Sequence, residues 1–385
     1  MKPLTDRRAG PLAIAWVAAL GSVVPASASA LPAGDDWPMF RGDAGLAGVS
    51  RTTLAERLEP LWVFEVEEGI ESAVAIVDGT VYLGALDGNL YAIDLDDGEV
   101  KWKYEAGAEI RSSPTHAAGS IYFGDGDGIF HAVDATRGTA RWKFETGGEI
   151  VSSANVSADR VLFGSHDQFL YCLDADDGSL LWKIETEGYV YGTPALVDGK
   201  AISVGCDGFL RAVRLEDGKE VQRFEIGSYV GASPATVAGK AYFGTFDNQV
   251  MAVDLGDGRV EWVYQNPERQ FPYLSSAAVH GGIVIVGGRD KLVHAIDAET
   301  GKSLWTHATR GKVDASPVVA GDRVYVASAG GEILGLDLAS GKVDWSFDSG
   351  FGIVASPALS GGRLVIGTTE GRLFCFGASG SKDTR

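Results

Sequence analysis

The sequence predicts an all-β fold: an eight-bladed β-propeller of four-stranded antiparallel blades, closed into a ring by an N-terminal strand. Two observations predict it. Tryptophan recurs at a nearly fixed interval, and the same turn sequences return in each interval. The tryptophan positions are 40 residues apart, with one step of 43 and one replacement by glutamine: Trp62, Trp102, Trp142, Trp182, Gln222, Trp262, Trp305 and Trp345. A period of this length is typical of a repeat architecture.

Each repeat contains the pattern of four short strands. In the second copy, one run ends at Ala118-Gly119, the next ends at Asp127-Gly128, a third ends at Asp134, and the fourth contains Trp142. Asp-Gly between apolar runs indicates a tight hairpin, because both residue types tolerate a positive φ. Such hairpin tips are predicted at Asp87-Gly88, Asp127-Gly128, Asp207-Gly208 and Glu370-Gly371, with the variants Asp167-Gln168, Asp247-Asn248, Asp290-Lys291 and Gly330-Gly331.

The number of blades follows from the motifs that begin each repeat. There are eight, at residues 71–74, 111–114, 151–154, 191–194, 231–234, 274–277, 314–317 and 354–357. Only seven are followed by a strand in the tryptophan register, and an unpaired strand of the same pattern, residues 60–64, precedes the first motif. Pairing that strand into the last blade closes the ring and removes free sheet edges. Lysine alternates with apolar residues at Lys103, Lys143 and Lys183, as expected on an exposed outermost strand.

The predicted domain organisation is a signal peptide over residues 1–30, a lead-in segment over 31–57, the propeller over 58–378 and a C-terminal tail over 379–385. Three cations, Lys2, Arg7 and Arg8, precede an apolar run that ends near small residues suited to cleavage. We therefore expect a periplasmic or secreted protein, with Sec and twin-arginine export both open. The apolar run is short for a membrane span, so we expect it to be cleaved and not to anchor the protein in the membrane. No cysteine is near the cleavage site, so no lipid anchor is expected.

Composition restricts the classes of partner. The formal net charge is −19, which argues against nucleic acid and anionic membrane surfaces. The three cysteines, Cys172, Cys206 and Cys375, are odd in number and lie in different blades, so no disulfide framework is expected, and no zinc spacing is present. The acid-rich turns at residues 94–98 and 174–178 are too short for an EF-hand, and Asx turns explain them; no metal site is predicted.

Several repeat segments resemble the pyrroloquinoline quinone (PQQ) type propeller family over residues 58–378. They are the Ser-Ser-Pro start at 112–114, Ile-Tyr-Phe-Gly at 121–124, Leu-Tyr-Ala-Ile-Asp at 90–94 and the Asp-Asp-Gly ending before Trp102. The lead-in segments at 36–42 and 45–50 resemble those of exported bacterial members. The resemblance implies one of two functions: a quinoprotein dehydrogenase with PQQ and calcium in the axial channel, or a non-catalytic protein similar to BamB of outer-membrane protein assembly.

The dehydrogenase interpretation requires cofactor ligands where each first-strand motif begins, at the channel mouth. Four of those positions are polar, Glu71, Arg111, Tyr191 and Asp314, and they are the candidate ligand residues. The other four are small or aliphatic. The chain also lacks the adjacent cysteine pair and the long inter-blade insertions of many such enzymes. We therefore predict no catalytic residues and no cofactor, with PQQ plus calcium as the alternative.

A cluster of cations interrupts the acidic composition on the predicted face of inter-blade loops and hairpin tips. It is interleaved with aromatic residues, and its members are Arg269, Phe271, Tyr273, Arg289, Lys291, Arg310 and Lys312. The opposite face is acidic, so the cluster is a candidate surface for docking or for anion binding. We accordingly predict a non-catalytic exported scaffold, similar to BamB, that binds an envelope protein or a ligand. The alternative is a PQQ-dependent dehydrogenase or a relic of one.

Overall fold

The computed structural model describes residues 34–378, and within them every regular element is a β-strand. The strands form eight sheets, each with four antiparallel strands, and one sheet has a short parallel strand in addition. Seven sets of four follow sequence order, and the eighth is completed by the N-terminal strand Leu58–Glu65. The predicted eight-bladed propeller is confirmed. The predicted signal peptide and the C-terminal tail lie outside the described residues. Within residues 34–378, no helix is long and apolar enough to span a membrane.

Each blade runs from a short inner strand beside the axis to an outer strand at the rim. Blades 1 to 4 comprise Ala75–Val77, Thr80–Gly84, Asn89–Asp94 and Val100–Glu105; Thr115–Ala117, Ser120–Gly124, Ile129–Asp134 and Ala140–Glu145; Asn155–Ser157, Arg160–Gly164, Phe169–Asp174 and Leu180–Glu185; Ala195–Val197, Lys200–Val204, Phe209–Arg214 and Glu220–Glu225. Blades 5 to 8 comprise Ala235–Val237, Lys240–Gly244, Val250–Asp254 and Val260–Tyr264; Ala278–His280, Ile283–Gly287, Leu292–Asp297 and Ser303–Ala308; Val318–Ala320, Arg323–Ala327, Glu332–Asp337 and Val343–Asp348; Ala358–Ser360, Arg363–Gly367, Arg372–Ala378 and Leu58–Glu65.

The ring closes as the sequence predicts. Leu58–Glu65 is the outermost strand of blade 8 and pairs antiparallel with Arg372–Ala378. The Trp345 indole N–H of blade 7 donates to the Leu58 carbonyl at 2.8 Å, which ties the closing strand to the preceding blade. The two ends of the propeller thus share one sheet, and no blade is left with an unpaired third strand.

The recurrent tryptophan joins neighbouring blades. The Trp142 indole N–H, for example, donates to the Ala175 carbonyl of the next blade at 3.1 Å. Its ring covers Gly178, where φ is +75° and a Cβ would come within 2.5 Å of the indole. In blade 4 the Gln222 amide donates to a carbonyl of blade 5 instead, at 2.8 Å. This interface repeats around the ring, which explains why the period is marked by tryptophan.

The motifs predicted as first strands lie just before the inner strands. Their amides bond to the neighbouring blade: the Ala73 N–H, for instance, donates to Ser113 Oγ at 3.0 Å. Because these N–H groups donate to the neighbouring blade, they do not take part in hydrogen bonds between strands of their own sheet. The inner strands are consequently only three residues long.

The hairpin tips between the second and third strands lie where the sequence predicts. The second tip residue has a positive φ in all eight blades, including the non-glycine residues Gln168, Asn248 and Lys291. A tip N–H also donates to a carbonyl of the preceding inter-blade loop, as Phe246 does to Tyr229 at 3.0 Å. These bonds fix loop and tip side chains side by side on one face of the ring, which we call the mouth face.

The lead-in segment crosses the opposite face, which we call the plug face. Residues 37–50 pass across the inner strands, and Val49–Ser50 pairs parallel with Val318–Ala320 of blade 7. Trp37 and Ile76 exchange two backbone hydrogen bonds at 2.8 Å. The sequence indicated a lead-in here but not this path, because its contacts are backbone bonds that leave no periodic pattern.

Candidate functional site

The eight positions that begin the repeat motifs meet around the axis and line a cavity of about 170 Å³. All four predicted ligand residues are among them: Glu71, Arg111, Tyr191 and Asp314. Phe40 of the lead-in lines the same cavity from the plug side. The axial channel therefore opens on the mouth face and narrows towards the plug.

A belt of hydroxyl groups lies just below these positions. Each belt serine accepts a hydrogen bond from a backbone N–H of the preceding blade, and six such bonds of 2.8–3.0 Å are present. The belt residues are Ser113, Ser153, Ser233, Ser276, Ser316 and Ser356. The belt holds adjacent blades at a fixed spacing, and it makes the channel wall polar.

Arg111 is surrounded by carboxylates. Its guanidinium contacts Glu71 at 3.2 Å, Glu109 at 2.6 Å and Glu149 at 3.0 Å. Burial opposes the charge of Arg111, but the hydrogen bond to Glu149 and the neighbouring carboxylates raise its pKa. Three acids around one cation leave this side of the mouth acidic and the arginine occupied.

Asp314 is held in the same way by cations. Arg289 binds both of its oxygens, at 2.9 and 3.1 Å, and Lys312 lies 2.7 Å from one of them. Burial would raise the pKa of Asp314, but the hydrogen bonds from Arg289 and Lys312 more than offset it and hold that pKa below its usual value. A carboxylate so paired is a poor general base, because it is stabilised as the anion.

The docking patch predicted from the sequence is largely neutralised within the protein. Besides the pairing of Arg289 and Lys312 with Asp314, Arg310 bonds to Glu332 at 3.1 Å and to Asp348 at 2.7 Å. The Arg269 guanidinium donates to a backbone carbonyl. Lys291 is exposed at its hairpin tip. The patch therefore has much less excess positive charge than its composition implies.

The two aromatic residues predicted in that patch differ in exposure. Phe271 is 49 % exposed. Tyr273 is 1 % exposed and packs among blade residues, including the Tyr264 ring at 6.5 Å. Tyr273 is therefore a core residue, and its prediction as a surface contact is corrected: the chain turns inward after Phe271 to begin blade 6.

An arc of exposed aromatic side chains lies on the mouth face, and of its members only Phe271 was predicted from the sequence. Within residues 34–378 the exposed large hydrophobic residues divide cleanly: the aliphatic ones lie on outer strands, and the aromatic ones lie on mouth-face loops and tips. We call the aromatic set the aromatic arc, and its members are Tyr189, Tyr229, Phe246 and Phe271. Comparing the repeats could have predicted the arc, because most other blades have small or polar residues at the loop position where Tyr189 and Tyr229 lie.

The arc continues to the channel mouth. A Cβ at Gly231 would lie 3.1 Å from the Phe246 ring and 3.7 Å from the Leu274 side chain. On the other flank, the His166 ring lies 5.0 Å from Tyr189 and 4.4 Å from Tyr191, and burial lowers its pKa. Two groups of apolar side chains thus extend from the aromatic arc to the polar ring, one around Phe246 and Leu274 and one around His166 and Tyr191.

The mouth residues do not fit PQQ with calcium. The arginine and the aspartate that would contact a quinone and its ion are both engaged by side chains of opposite charge. The cavity is also small beside the roughly 300–1,000 Å³ of typical ligand pockets. Among the described residues, no three acids, histidines or cysteines are grouped as a metal site would need.

Comparison with solved structures supports the fold. BamB from Moraxella catarrhalis matches with a TM-score of 0.73 at 19 % identity, over 85 % of this chain and 100 % of that one. The quinohemoprotein alcohol dehydrogenase from Comamonas testosteroni matches with a TM-score of 0.78 at 14 % identity, over 91 % and 82 %. A europium-containing methanol dehydrogenase matches with a TM-score of 0.71 at 16 % identity, over 89 % and 98 %.

The sequence itself gives a more specific result. No curated protein matches it significantly. The family model described as outer membrane protein assembly factor BamB matches three successive parts of the chain, residues 53–159, 147–271 and 273–383. Together these parts cover nearly all of the propeller. The chain therefore belongs to the BamB-like family of PQQ-type repeat propellers.

Proposed function

We propose that this protein is a non-catalytic, exported scaffold of the cell envelope that binds a protein partner through the aromatic arc of its mouth face. The observation that carries the proposal is the separation of exposed residues: aromatic side chains concentrate on one face, whereas exposed aliphatic ones are spread around the rim. Aromatic residues are enriched at protein interfaces because each buries a large area with little loss of side-chain entropy.

The exposed fractions support a contact role for the arc. Tyr229 is 60 % exposed, Tyr189 47 % and Phe246 39 %. The backbone hydrogen bond from Phe246 to Tyr229, 3.0 Å long, fixes the hairpin tip against the loop before any partner binds. A rigid surface loses less conformational freedom on association than a flexible one, which favours affinity.

The polar groups beside the arc support binding without catalysis. Arg111 and Asp314 are neutralised by their neighbours, so neither is free to act as a proton donor or acceptor at neutral pH. Their ion pairs place polar groups beside an apolar contact area, and a protein interface commonly combines the two. The leader-like residues 1–30 support export to the compartment where such a partner would be met.

Site-specific photo-crosslinking tests the proposal. A photoreactive phenylalanine analogue in place of Tyr229 or Phe246 should cross-link one envelope protein in intact cells. The same analogue at Leu180 or Val343, which are equally exposed on outer strands, should not. Tyr229→Ser with Phe246→Ser should abolish partner co-purification and leave the denaturation midpoint nearly unchanged. Equal cross-linking from the rim, or an unaffected partner in the double variant, would refute the proposal.

The second candidate is a PQQ-dependent dehydrogenase or a relic of one. The observation in its favour is the fold shared with quinohemoprotein and methanol dehydrogenases. If bound in the channel, PQQ would supply the redox chemistry, and Arg111, Glu71, Tyr191 and Asp314 would be its neighbours. Titration with PQQ and calcium, followed by absorbance and by dye-linked alcohol oxidation, distinguishes the two. We expect no saturable binding and no turnover.

A further inference from the structure

The lead-in segment bonds to the same position in most blades. The middle residue of each inner strand directs its N–H towards the plug face, and in six blades a lead-in carbonyl accepts it. The donors are Ile76, His116, Leu196, Thr236, Val279 and Val319, and the acceptors in the same order are Trp37, Pro38, Ala44, Gly45, Ala47 and Gly48, at 2.7–2.9 Å. The six bonds show that the N–H at the middle of an inner strand pairs with a backbone carbonyl.

Blade 3 departs from the series. Its equivalent residue is Val156, and within residues 34–378 no lead-in carbonyl accepts its N–H. The lead-in passes from Pro38, bonded to blade 2, to Ala44, bonded to blade 4, and residues 39–43 between them fold into tight turns. Blade 3 touches this stretch through the Asn155 side chain, whose amide donates to the Ala44 carbonyl at 2.9 Å.

The unfilled position opens onto a groove. Its volume is about 470 Å³, and Val156 is among the residues that line it. Pro38, Met39 and Ala117 contribute to its walls, and Asp43 is the one acidic or basic side chain that lines it besides His116. Burial lowers the pKa of His116, which keeps that ring neutral. A volume in the roughly 300–1,000 Å³ range with mainly apolar walls is typical of a binding site. In blade 8, by contrast, the equivalent Leu359 is fully buried.

We propose that this groove binds an extended peptide segment of a partner protein, which supplies to Val156 the carbonyl that the lead-in supplies in six other blades. The binding mode is already present in the molecule, since Trp37 adds to Ile76 as a short antiparallel strand through two hydrogen bonds. The groove continues that interface. Addition of a strand to an open backbone edge is a recurrent mode of peptide recognition.

Charge restricts the peptide further. Asp43 presents little free charge, because burial raises its pKa, the Ala47 N–H donates to its Oδ1 at 3.3 Å, and the buried Arg41 guanidinium offsets its charge. A peptide whose side chains near Asp43 are apolar and uncharged therefore complements these walls. The site lies on the plug face and does not depend on the function proposed for the aromatic arc.

The test uses the full-length mature protein and a displayed library of random dodecapeptides. Selected peptides are synthesised, their affinities are measured, and amide hydrogen exchange is followed by NMR. Without peptide, the Val156 amide should exchange much faster than the Leu196 and Val279 amides, which bond to the lead-in. Bound peptide should slow the exchange of Val156.

Two variants locate the site. Val156→Pro removes the open N–H without removing any bond of the lead-in series, and Ala117→Trp fills the groove from blade 2. Each should weaken the selected peptides by about tenfold or more. Tyr229→Ser with Phe246→Ser is the matched control on the mouth face, and it should bind them normally, so the two proposals fail separately.

Four results would overturn the inference. The first is a selection that enriches no peptide beyond a parallel selection on the Val156→Pro protein. The second is enriched peptides that bind the Val156→Pro and Ala117→Trp proteins as tightly as the unmodified one. The third is protection from exchange on the mouth face alone. Saturable binding of a fluorescent fatty acid with no peptide binding would likewise assign the groove to an apolar small molecule and reject a peptide.

Discussion

The residue that sets the period has the same task in most blades: it packs on the turn of the next blade and donates to a carbonyl there. Blade 4, where Gln222 replaces the tryptophan, shows which of these two contacts the interface requires of this residue. Gln222 keeps the hydrogen bond, and the Phe224 ring takes over the space above Gly258, where a Cβ would lie 1.9 Å from it. The interface thus tolerates loss of the indole when a neighbouring ring replaces it.

Truncating one tryptophan tests how the hydrogen bond and the ring packing each contribute to stability. We expect Trp142→Ala to lower the free energy of unfolding by about 3 kcal/mol, because it removes both the hydrogen bond and the ring over Gly178. Gln222→Ala should cost about 1 kcal/mol, since it removes a hydrogen bond alone. Urea denaturation of both variants measures the difference. Equal losses would contradict the role assigned to Phe224.

At the residue scale, the burial of His131 also predicts that the stability of the protein depends on pH. His131 is fully buried between the Tyr104 hydroxyl, which donates to its Nδ1 at 3.1 Å, and Asp125, which accepts from Nε2 at 2.8 Å. Burial lowers the pKa of His131 below its ordinary value of 6.5 despite the aspartate. The unfolded state therefore takes up the proton first, and the stability due to the neutral ring is lost as pH falls below about 6.5.

His131→Gln should reduce this loss. Comparing denaturation midpoints above and below the ordinary histidine pKa should show a smaller acid shift for the variant than for the unmodified protein. His307→Gln is the control, because His307 lies on an outer strand and is not buried. If the denaturation midpoint of His131→Gln fell with acid as much as that of the unmodified protein, other groups such as His116 and His166 would account for the pH dependence of stability.

Among the elements, the blades and the presence of a lead-in could be predicted from the sequence, but the path of the lead-in could not. Hairpin tips such as Asp87-Gly88 can be recognised in the sequence, because a tight turn needs a positive φ and few residue types adopt one without strain. The path of residues 37–50 rests on carbonyl groups, which every residue possesses. Likewise, the pairing of Arg289 with Asp314 joins a tip of blade 6 to a loop of blade 7, and residue types alone do not give the distance between them.

The lead-in depends on one close approach. Gly48 has a φ of +68°, and a Cβ there would lie 1.9 Å from the buried Arg41 guanidinium, which donates to the Ala277 carbonyl at 2.9 Å. Gly48→Ala should therefore destabilise the protein by more than the roughly 1–2 kcal/mol of backbone strain. Gly239→Ala is a matched control, because its φ is +78° and nothing lies within 4 Å of the added Cβ. Equal unfolding energies for the two variants would show that the lead-in contributes little.

At the scale of the whole molecule, ring closure is the long-range event. Leu58–Glu65 pairs with Arg372–Ala378, so the two ends of the propeller must meet before the last sheet is complete. Contacts of such large sequence separation form slowly, because the entropy of loop closure is lost before the contacts compensate for it. Until then the strand Arg372–Ala378 presents an open edge that can pair with another molecule.

Removing the closing strand should therefore affect association as well as stability. A chain that starts at Val66 lacks the partner of Arg372–Ala378, and the Trp62 ring no longer covers Gly98. We expect it to form dimers or aggregates in size-exclusion chromatography and to unfold at a lower denaturant concentration. A chain that starts at Arg57 loses the lead-in but keeps the closing strand, and it should remain monomeric. If both chains were monomeric with the same midpoint, the edge would not need its partner, and closure by Leu58–Glu65 would be incidental to the stability of the ring.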